Sequence, residues 1–407
     1  MEANATRANG PSPRTPLPPP VPVVLAGARG HGRWHLANIR RLAGQGLVRL
    51  AGVCELDPLT NEELTGLGAP AQSPDFGALL DATGARVAVI CTPIPTHTGL
   101  ALTAAARGVH ILLEKPPAPS WAEFRRMTDG VRGAGTVCQI GFQSFGSHAL
   151  SAIRELLASG AVGEVRGIGA AGAWVRDTAY FTRAAWAGKR RMNGTDVVDG
   201  VLTNPLAHAV ATALALDGSG RAEDVSGIDL ELYRANDIES DDTSAVRLTT
   251  ARGTTVTAAM TLCAERPGEP YIVVHGSRGR VTFWYKEDRV LVQRADHGPA
   301  ETVYERTDLL ENLLAHLRDG TPLLAPPEAT GAFMKVVEAV RTAPDPQPLP
   351  AGSWRTERHG ETERRVVPGI DGLVAAGADT LSLFSELGVP WAHAARGDRD
   401  RVEVSHR

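Results

Sequence analysis

The residue in this sequence most capable of chemistry is Lys115, which stands between an acid and two prolines in the run Glu114-Lys115-Pro116-Pro117. A lysine can transfer a proton near neutral pH when burial or a neighbouring cation lowers its pKa. The apolar residues 109–113 predict a buried strand just before it, and ligands of open α/β sheets bind beyond the carboxyl ends of the strands. We therefore expect Lys115 to face a bound ligand. The alternative is a solvated lysine at a strand end.

A glycine-rich turn about eighty residues upstream is the candidate for holding that ligand. It follows an apolar run and opens a helical pattern, which is the setting of a dinucleotide fingerprint. Backbone amides at such a helix start can bind a pyrophosphate. The turn reads Gly27-Ala28-Arg29-Gly30-His31-Gly32. With Gly27 and Gly32 as the outer glycines, Arg29 stands where the middle glycine belongs, and Gly30 could serve instead. The alternative is a structural loop.

An acid at the end of the second strand favours NAD as that ligand. Glu55 lies 23 residues after Gly32, where a carboxylate can accept hydrogen bonds from ribose hydroxyls and would repel a 2′-phosphate. Asp57 could take the same role. Arg29 and Arg33 could instead pair with a 2′-phosphate, so NADP is not excluded.

The third strand contributes another side of the crevice. It ends in Thr92 and Pro93, and the prolines of this loop keep it out of helical conformation and close to the cofactor. His97 begins the next helix, where it could contact the cofactor or serve as a capping or packing residue.

The elements that position these residues alternate between short apolar strands and helices. This order predicts an α/β fold, with a doubly wound parallel sheet of the Rossmann type over residues 21–144. From residue 145, runs with period-two alternation predict an α+β domain to residue 345 with a large, open, mostly antiparallel sheet. Residues 1–20 are expected to be a disordered tail. Residues 346–407 form a C-terminal extension, with a proline-rich linker at 343–350 and an apolar helix within 366–390.

The bulk composition narrows the classes of partner. The chain has 407 residues, a net charge of −4 and no dense basic stretch, so a nucleic-acid partner is not expected. No segment approaches the roughly 18 apolar residues of a membrane span, so no membrane partner is expected either. The four cysteines are widely separated, without metal-ligand spacing, and no metal site is predicted. Reduced cysteines and the lack of a secretory segment predict a cytoplasmic protein.

Together these motifs resemble the Gfo/Idh/MocA oxidoreductases, the group of glucose-fructose oxidoreductase and inositol dehydrogenase. The resemblance covers roughly residues 21–345 and implies a Rossmann domain followed by an α+β domain whose open sheet commonly builds a homodimer or homotetramer. It also implies a nicotinamide ring near Lys115 and a substrate between the domains. The matching motifs are Gly27-x-x-Gly30-x-Gly32-x-x-His35, Glu55-Leu56-Asp57-Pro58, Thr92-Pro93-x-x-x-His97 and Glu114-Lys115-Pro116.

The resemblance further implies a catalytic pair in the second domain, an acid four residues before a histidine. The matching residues are Asn204 and His208, on one face of a helix expected to begin near Pro205. An amide can orient an imidazole but cannot stabilise its charged form. His208 would then be the weaker base, and Lys115 would carry more of the proton transfer. The alternative is that Asn204 caps the helix and His208 is a core residue.

Further contacts are expected from Gln143, which follows the last Rossmann strand and could reach the cofactor ring or the substrate. A segment that mixes aromatic residues with arginines supplies Arg176, Tyr180 and Trp186 as substrate contacts, beside Lys115, Asn204 and His208. Aromatic faces pack on sugar rings, and arginines bind hydroxyls or carboxylates. The same segment could equally be a surface loop with solvated arginines.

The sequence thus predicts an NAD(P)-dependent oxidoreductase that transfers a hydride between nicotinamide and a secondary alcohol or ketone of a sugar, cyclitol or related polyol. One alternative is a non-catalytic NAD-binding sensor or assembly protein, which the amide at position 204 would favour. Another is an enzyme that recycles a tightly held cofactor during lyase or epimerase chemistry.

Overall fold

The computed structural model describes residues 20–392, which build two large β-sheets with helices packed around them. The predicted disordered tail lies outside the described residues except for residue 20. Residues 393–407 of the C-terminal extension lie outside them as well.

The first domain has the alternating strands and helices that the sequence predicts. Within residues 20–392 its sheet contains six strands, all parallel, in the order β3-β2-β1-β4-β5-β6. Helices cover both of its faces, so its central strands read as near-continuous apolar runs. The elements are β1 (Val21–Ala26), α1 (Gly32–Gly44), β2 (Val48–Cys54), β3 (Ala71–Ser73), α2 (Phe76–Thr83), β4 (Val87–Ile90), α3 (His97–Ala105), β5 (His110–Leu113), α4 (Trp121–Gly133) and β6 (Cys138–Ile140).

The second domain is built around a mixed sheet. Its elements and those of the extension are α5 (Ala149–Ala158), β7 (Val165–Ala173), α6 (Thr178–Thr182), β8 (Arg191–Met192), β9 (Thr195–Asp196), α7 (Ala207–Asp217), β10 (Val225–Arg234), β11 (Thr243–Thr250), β12 (Thr255–Thr261), β13 (Tyr271–Gly276), β14 (Gly279–Trp284), β15 (Arg289–Arg294), β16 (His297–Val303), α8 (Leu309–Asp319), α9 (Gly331–Thr342), β17 (Gln347–Pro348), β18 (Arg355–His359), β19 (Thr362–Val366) and α10 (Ile370–Thr380).

The large, open, mostly antiparallel sheet is confirmed. In the described part of the chain it has nine strands in the order β16-β15-β14-β13-β7-β12-β11-β10-β17, and only the β7–β12 and β10–β17 pairs are parallel. A tight hairpin turn joins β13 to β14, which pair antiparallel through Gly276 and Gly279.

The C-terminal extension differs from its prediction. The expected linker contains β17, which pairs with β10. The apolar helix expected within residues 366–390 is α10, which begins after β19 ends at Val366 and stops where Leu381 adopts a left-handed conformation with φ +57°. A short 3-10 helix, Phe384–Leu387, follows. The β18–β19 hairpin was not predicted.

Helix α8 lies in the stretch assigned to the second domain but packs on the first. Leu310 and Leu313 are buried in the same apolar cluster as Leu25 and Ile39. The Gln139 amide donates to the Leu309 carbonyl at 2.7 Å. The chain therefore returns to the Rossmann sheet after β16, which ties the two domains together.

Helix α10 covers one face of the large sheet at very short range. A Cβ atom at Gly169 in β7 would lie 2.0 Å from the carbonyl oxygen of Ala378, and one at Gly377 would lie 2.9 Å from Cβ of Ala259 in β12. These small residues let the helix lie directly on the strands. The sheet surface that the resemblance would offer to a second subunit is therefore partly occupied by the chain's own extension.

Two findings bear on the chain's surroundings. No helix among the described residues is both long and apolar enough to cross a membrane. The four cysteines all carry free thiols.

Candidate active site

Close packing explains the two outer glycines of the turn between β1 and α1. A Cβ atom at Gly27 would lie 2.3 Å from the carbonyl oxygen of Cys91, and one at Gly32 would lie 1.9 Å from the carbonyl oxygen of Gly27. Gly30 has φ +57° and open space around it. The Arg29 side chain points away from the turn, with Nη1 3.1 Å from Glu63 Oε1. Gly30 thus keeps the middle of the turn open to a ligand.

The backbone amides of this turn fit a pyrophosphate. Those of Ala28 and Arg29 donate to Glu55 Oε1 at 2.5 and 3.1 Å. The amides of Gly30 and His31 donate to no group within residues 20–392, and they stand at the start of α1. Such unpaired donors at a helix N-terminus are what bound phosphate oxygens accept from. The turn therefore fits a dinucleotide, and the ribose contact of Glu55 stays a prediction.

Glu114 is a buried support for this region rather than a surface acid. Its Oε1 accepts hydrogen bonds from His35 Nε2 and Gln143 Nε2, both at 2.8 Å, and Oε2 accepts from the Lys115 amide at 3.1 Å. Burial alone would raise the pKa of Glu114, but His31 and His35 hold that pKa well below its usual range. Gln143 was expected to reach the cofactor or substrate. Its amide nitrogen donates to Glu114, and its contact with a cofactor or substrate stays a prediction.

His31, His35 and Glu114 also form a grouping that the sequence did not suggest. Their ligand atoms lie within 4.8 Å of one another, close enough to hold a metal ion. However, Glu114 Oε1 already accepts two short hydrogen bonds. We therefore describe the three residues as a hydrogen-bonded cluster beneath the turn.

Lys115 is fixed by hydrogen bonds rather than solvated. Its Nζ donates to Asn204 Oδ1 at 2.7 Å and to the Asn204 carbonyl at 2.9 Å. Burial lowers the pKa of Lys115, while the charges of Glu114 and Asp199 act in the opposite direction. An ammonium group held in this way is suited to giving up and taking back a proton.

Asp199 is a residue of this hydrogen-bond network that its sequence pattern did not single out. Asn204 Nδ2 donates to Asp199 Oδ1 at 2.6 Å. The other carboxylate oxygen accepts from the Gly188 amide at 2.8 Å and from Arg183 Nη2 at 3.1 Å. The carboxylate is buried and stands behind the Asn204 amide, so its negative charge reaches Lys115 through that amide.

Asn204 neither caps helix α7 nor orients the His208 imidazole. Helix α7 begins at Ala207 with Leu206 at its cap position, so Asn204 belongs to the preceding turn and does not cap the helix. Its amide binds Lys115 and Asp199, and the His208 imidazole has a different partner. The only sequence signal for Asp199 was its position at the start of the same irregular segment.

His208 is a neutral histidine in an aromatic setting. Its Nδ1 lies 3.3 Å from Ser144 Oγ, which accepts a hydrogen bond from Thr212 at 2.8 Å. Donation from the Ser144 hydroxyl to Nδ1 would leave Nε2 as the protonated nitrogen. Burial, together with the charge of Lys115, lowers the pKa of His208 to about 3. The imidazole is therefore neutral near pH 7, and its catalytic role stays a prediction.

His97 is a buried link between the loop after β4 and the loop after β5. Its Nε2 lies 2.8 Å from the Thr92 carbonyl and its Nδ1 lies 2.9 Å from the Pro116 carbonyl. The ring is buried with both nitrogens against backbone carbonyls, which favours the packing alternative, and a contact with the cofactor stays a prediction. Thr92 and Pro93 remain at the lip of the crevice, where the Thr92 hydroxyl bonds that of Thr96 at 2.6 Å.

The aromatic and arginine segment forms a stacked column. The Arg176 guanidinium lies 4.7 Å from the centre of the Trp174 ring and 4.8 Å from that of Tyr180. Arg183 lies over Tyr180 and Trp186 at 3.8 and 4.7 Å. Because Arg183 also pairs with Asp199, the three predicted substrate residues, Arg176, Tyr180 and Trp186, belong to one network with Lys115.

Comparisons with known proteins agree with this geometry. Residues 21–142 match the profile described as "Oxidoreductase family, NAD-binding Rossmann fold", and residues 150–282 match the Gfo/Idh/MocA C-terminal domain. The chain is 30% identical to scyllo-inositol 2-dehydrogenase (NAD(+)) of Bacillus subtilis over 115 residues, 28% of this chain and 34% of that protein. It is 26% identical to dTDP-3,4-didehydro-2,6-dideoxy-alpha-D-glucose 3-reductase of Streptomyces violaceoruber over 268 residues, 66% of this chain and 70% of that protein.

Among solved structures, the WlbA dehydrogenase from Bordetella pertussis in complex with NADH and UDP-GlcNAcA superposes with a TM-score of 0.64 at 21% identity. The superposition covers 79% of this chain and 95% of that one, and it supports the fold. The match to the inositol dehydrogenase spans only about a third of that relative, whereas the two profile matches span more than half of this chain. The protein therefore belongs to the Gfo/Idh/MocA family of oxidoreductases.

Proposed function

We propose that this protein is an NAD-dependent oxidoreductase that moves a hydride between nicotinamide and a secondary alcohol or ketone of a sugar, cyclitol or related polyol. The observation that carries the proposal is the Lys115 ammonium, which Asn204 fixes at the carboxyl end of β5. Only β4 lies between β5 and β1 in the sheet, and the dinucleotide turn follows β1. The inositol dehydrogenase and deoxysugar reductase among the relatives support the substrate class.

The residues of the site divide the work as follows. A bound nicotinamide dinucleotide would supply the hydride acceptor or donor. Lys115 gives a proton to the ketone oxygen in reduction and takes one from the hydroxyl in oxidation. Asn204 holds the ammonium in place, and the Asp199 charge behind it opposes the loss of the proton. His208 stays neutral and donates a hydrogen bond from Nε2.

The geometry bears on the alternative functions, a non-catalytic sensor and a lyase or epimerase. The amide at position 204 was the support for a non-catalytic sensor. Asp199 supplies a carboxylate that binds this amide on the side away from Lys115, so that support is weaker. Lyase or epimerase chemistry with a recycled cofactor uses the same groups and is separated by experiment. Glu55 favours NAD over NADP. The cytoplasmic location and the homodimer or homotetramer stay predictions.

Turnover and cofactor binding, measured separately, test the proposal. The full chain is assayed for NADH formation over a panel of sugars and cyclitols, and NADH binding is followed by fluorescence. We expect Lys115→Ala to reduce turnover at least about 100-fold while NADH affinity stays within a factor of two. Lys335→Ala, which removes a lysine packed on Trp121, should change neither.

Three results would contradict the proposal or redirect it. Turnover that survives in Lys115→Ala would remove the lysine from the chemistry. NADH binding without turnover over the whole panel would favour the sensor. Substrate conversion without net change in bound NAD would favour the lyase or epimerase.

A further inference from the structure

A cavity of about 640 Å³ lies between the segment after β7 and the β18–β19 hairpin of the extension. Its walls are Val175, Arg176, Asp177, Tyr180, Thr362 and Arg364. One wall therefore comes from residues already linked to Lys115. The other comes from a part of the chain beyond residue 282, where the family match ends.

The hairpin is fastened to the segment that it faces. The Glu363 amide donates to Thr178 Oγ1 at 3.2 Å, next to the start of α6. Arg364 donates to the Glu265 carbonyl at 3.4 Å and to Glu357 Oε2 at 2.5 Å. These bonds hold the second wall in a defined position, as a ligand subsite requires.

Arg176 is the group in this cavity whose bonding is incomplete. Its Nη1 donates to the Val175 carbonyl at 2.9 Å, but Nε is buried without a hydrogen-bond partner. Across residues 20–392, Arg176 forms no ion pair, whereas Arg183 pairs with Asp199 and Arg364 pairs with Glu357. A guanidinium packed between two aromatic rings, with a donor left over, is the usual complement of a carboxylate or phosphate.

Asp177 is the one acid in the wall, and its position explains why it leaves Arg176 unpaired. Its Oδ1 accepts from the Tyr180 amide at 3.1 Å and so caps α6. The carboxylate is thus directed at the helix start, where the amide and the helix dipole stabilise it.

A chain of direct contacts links the wall of the cavity to Lys115. Arg176 stacks on Tyr180, Tyr180 carries Arg183 at 3.8 Å, and Arg183 pairs with Asp199 at 3.1 Å. Asp199 in turn holds the Asn204 amide that binds Lys115. We propose that this cavity is a subsite for an anionic substituent of the substrate, a carboxylate or a phosphate bound by Arg176, with the C-terminal hairpin as its outer wall.

This inference rests on the proposed function and narrows its substrate class to acidic sugars or cyclitols. The test uses the full chain saturated with NADH, at matched ionic strength, with isothermal titration and thermal shift. The probes are acetate, inorganic phosphate, D-glucuronate, D-glucose 6-phosphate and D-glucose. Acetate and glucuronate report carboxylate binding, while phosphate and the sugar phosphate report phosphate binding.

We expect at least one anionic probe to bind and to stabilise the protein, with glucose weaker than its acidic counterpart. Arg176→Gln should weaken that probe about 10- to 100-fold, the range for loss of charged hydrogen bonds, and Arg176→Lys should lie between. Arg278→Gln is the matched control, because Arg278 also donates to a backbone carbonyl, that of Gly160, but on a distant exposed turn.

The inference is overturned if no anionic probe binds, or if Arg176→Gln binds it as tightly as the parent. A neutral polyol that is turned over equally well by the parent and by Arg176→Gln would overturn the subsite and leave the oxidoreductase intact. Failure of NADH binding in the parent, by contrast, would count against the proposed function itself.

Discussion

Replacing Asp199 by Asn tests whether the buried carboxylate controls the protonation of Lys115. The change keeps the size of the side chain and removes its charge. Without that charge the protonated form of Lys115 loses an attractive partner, so the pKa of Lys115, already lowered by burial, should fall further. The lysine would then lose its proton at a lower pH than in the parent protein.

The magnitude follows from the geometry. One amide separates the two groups, with hydrogen bonds of 2.7 Å on the lysine side and 2.6 Å on the carboxylate side. The charges are thus about 7 Å apart, and at an effective dielectric constant of about 20 they attract by roughly 2 kcal/mol. About 1.4 kcal/mol corresponds to one pH unit, and solvent screens the exposed part of the ammonium. We therefore expect the midpoint of Lys115 deprotonation to fall by about one pH unit.

The assay needs no known substrate, because the chain contains only four lysines, Lys115, Lys189, Lys286 and Lys335. The rate of acetylation of each lysine by acetic anhydride is followed against pH by mass spectrometry, and the other three serve as internal references. Arg183→Gln is the matched control with the opposite sign. It removes a cation that lowers the pKa of Lys115, so its midpoint should rise.

An unchanged midpoint of Lys115 deprotonation in a folded Asp199→Asn protein would refute the effect of the Asp199 charge on Lys115. A fall of the same size in Arg183→Gln would refute it as well, since both variants would then report only a disturbed structure. Thermal unfolding of each variant establishes that the protein is folded under the conditions of labelling.

Four further predictions follow from single contacts. Gly32→Ala places Cβ 1.9 Å from the Gly27 carbonyl and should weaken NADH binding at least about tenfold by fluorescence titration, whereas Gly44→Ala, which has open space around it, should leave the affinity unchanged. His208, with its pKa lowered to about 3, should show no imidazole protonation between about pH 5 and 8 by NMR; a midpoint in that range would contradict its burial. His97→Gln should lower the free energy of unfolding by about 1–3 kcal/mol in urea, because a buried carbonyl loses its partner; an unchanged midpoint would mean that the link is dispensable. Truncation after Pro350 should expose the small residues of β7 and β12 and increase self-association above that of the parent protein in light scattering, and a truncated chain with the same mass of assembly as the parent would show that α10 does not protect this face.

The first domain was predictable because its central strands are buried on both faces. Every residue of β4 and of β5 is buried, so these strands appear in the sequence as unbroken apolar runs. The opposite holds for β16, all seven residues of which are exposed, and for the charged β18–β19 hairpin. Their pairing comes from chain connectivity and register, which leave no hydrophobic pattern to detect.

In the candidate site, some residues could be found from local sequence motifs and others could not. The glycine turn and Lys115 follow directly from strands, so local motifs were sufficient to find them. Asp199 acts across an irregular segment, and its contact with Asn204 depends on a turn that precedes α7. Gln143 was assigned to the ligand because it follows a strand end, but Glu114 competes for its amide. Sequence position indicated the neighbourhood of these side chains but not their partners.

The amide at position 204 is better explained as a requirement of this network than as the loss of a catalytic acid. An aspartate there would bring a second carboxylate to about the 2.6 Å that now separates Asn204 Nδ2 from Asp199 Oδ1. Two carboxylates at that distance tend to share a proton, and the pair would then carry the same single negative charge that Asp199 supplies now. An asparagine has the polarity needed at each end, because it accepts from the lysine through Oδ1 and donates to the acid through Nδ2. The acid is therefore present in this site, but the side chain of Asn204 lies between it and Lys115.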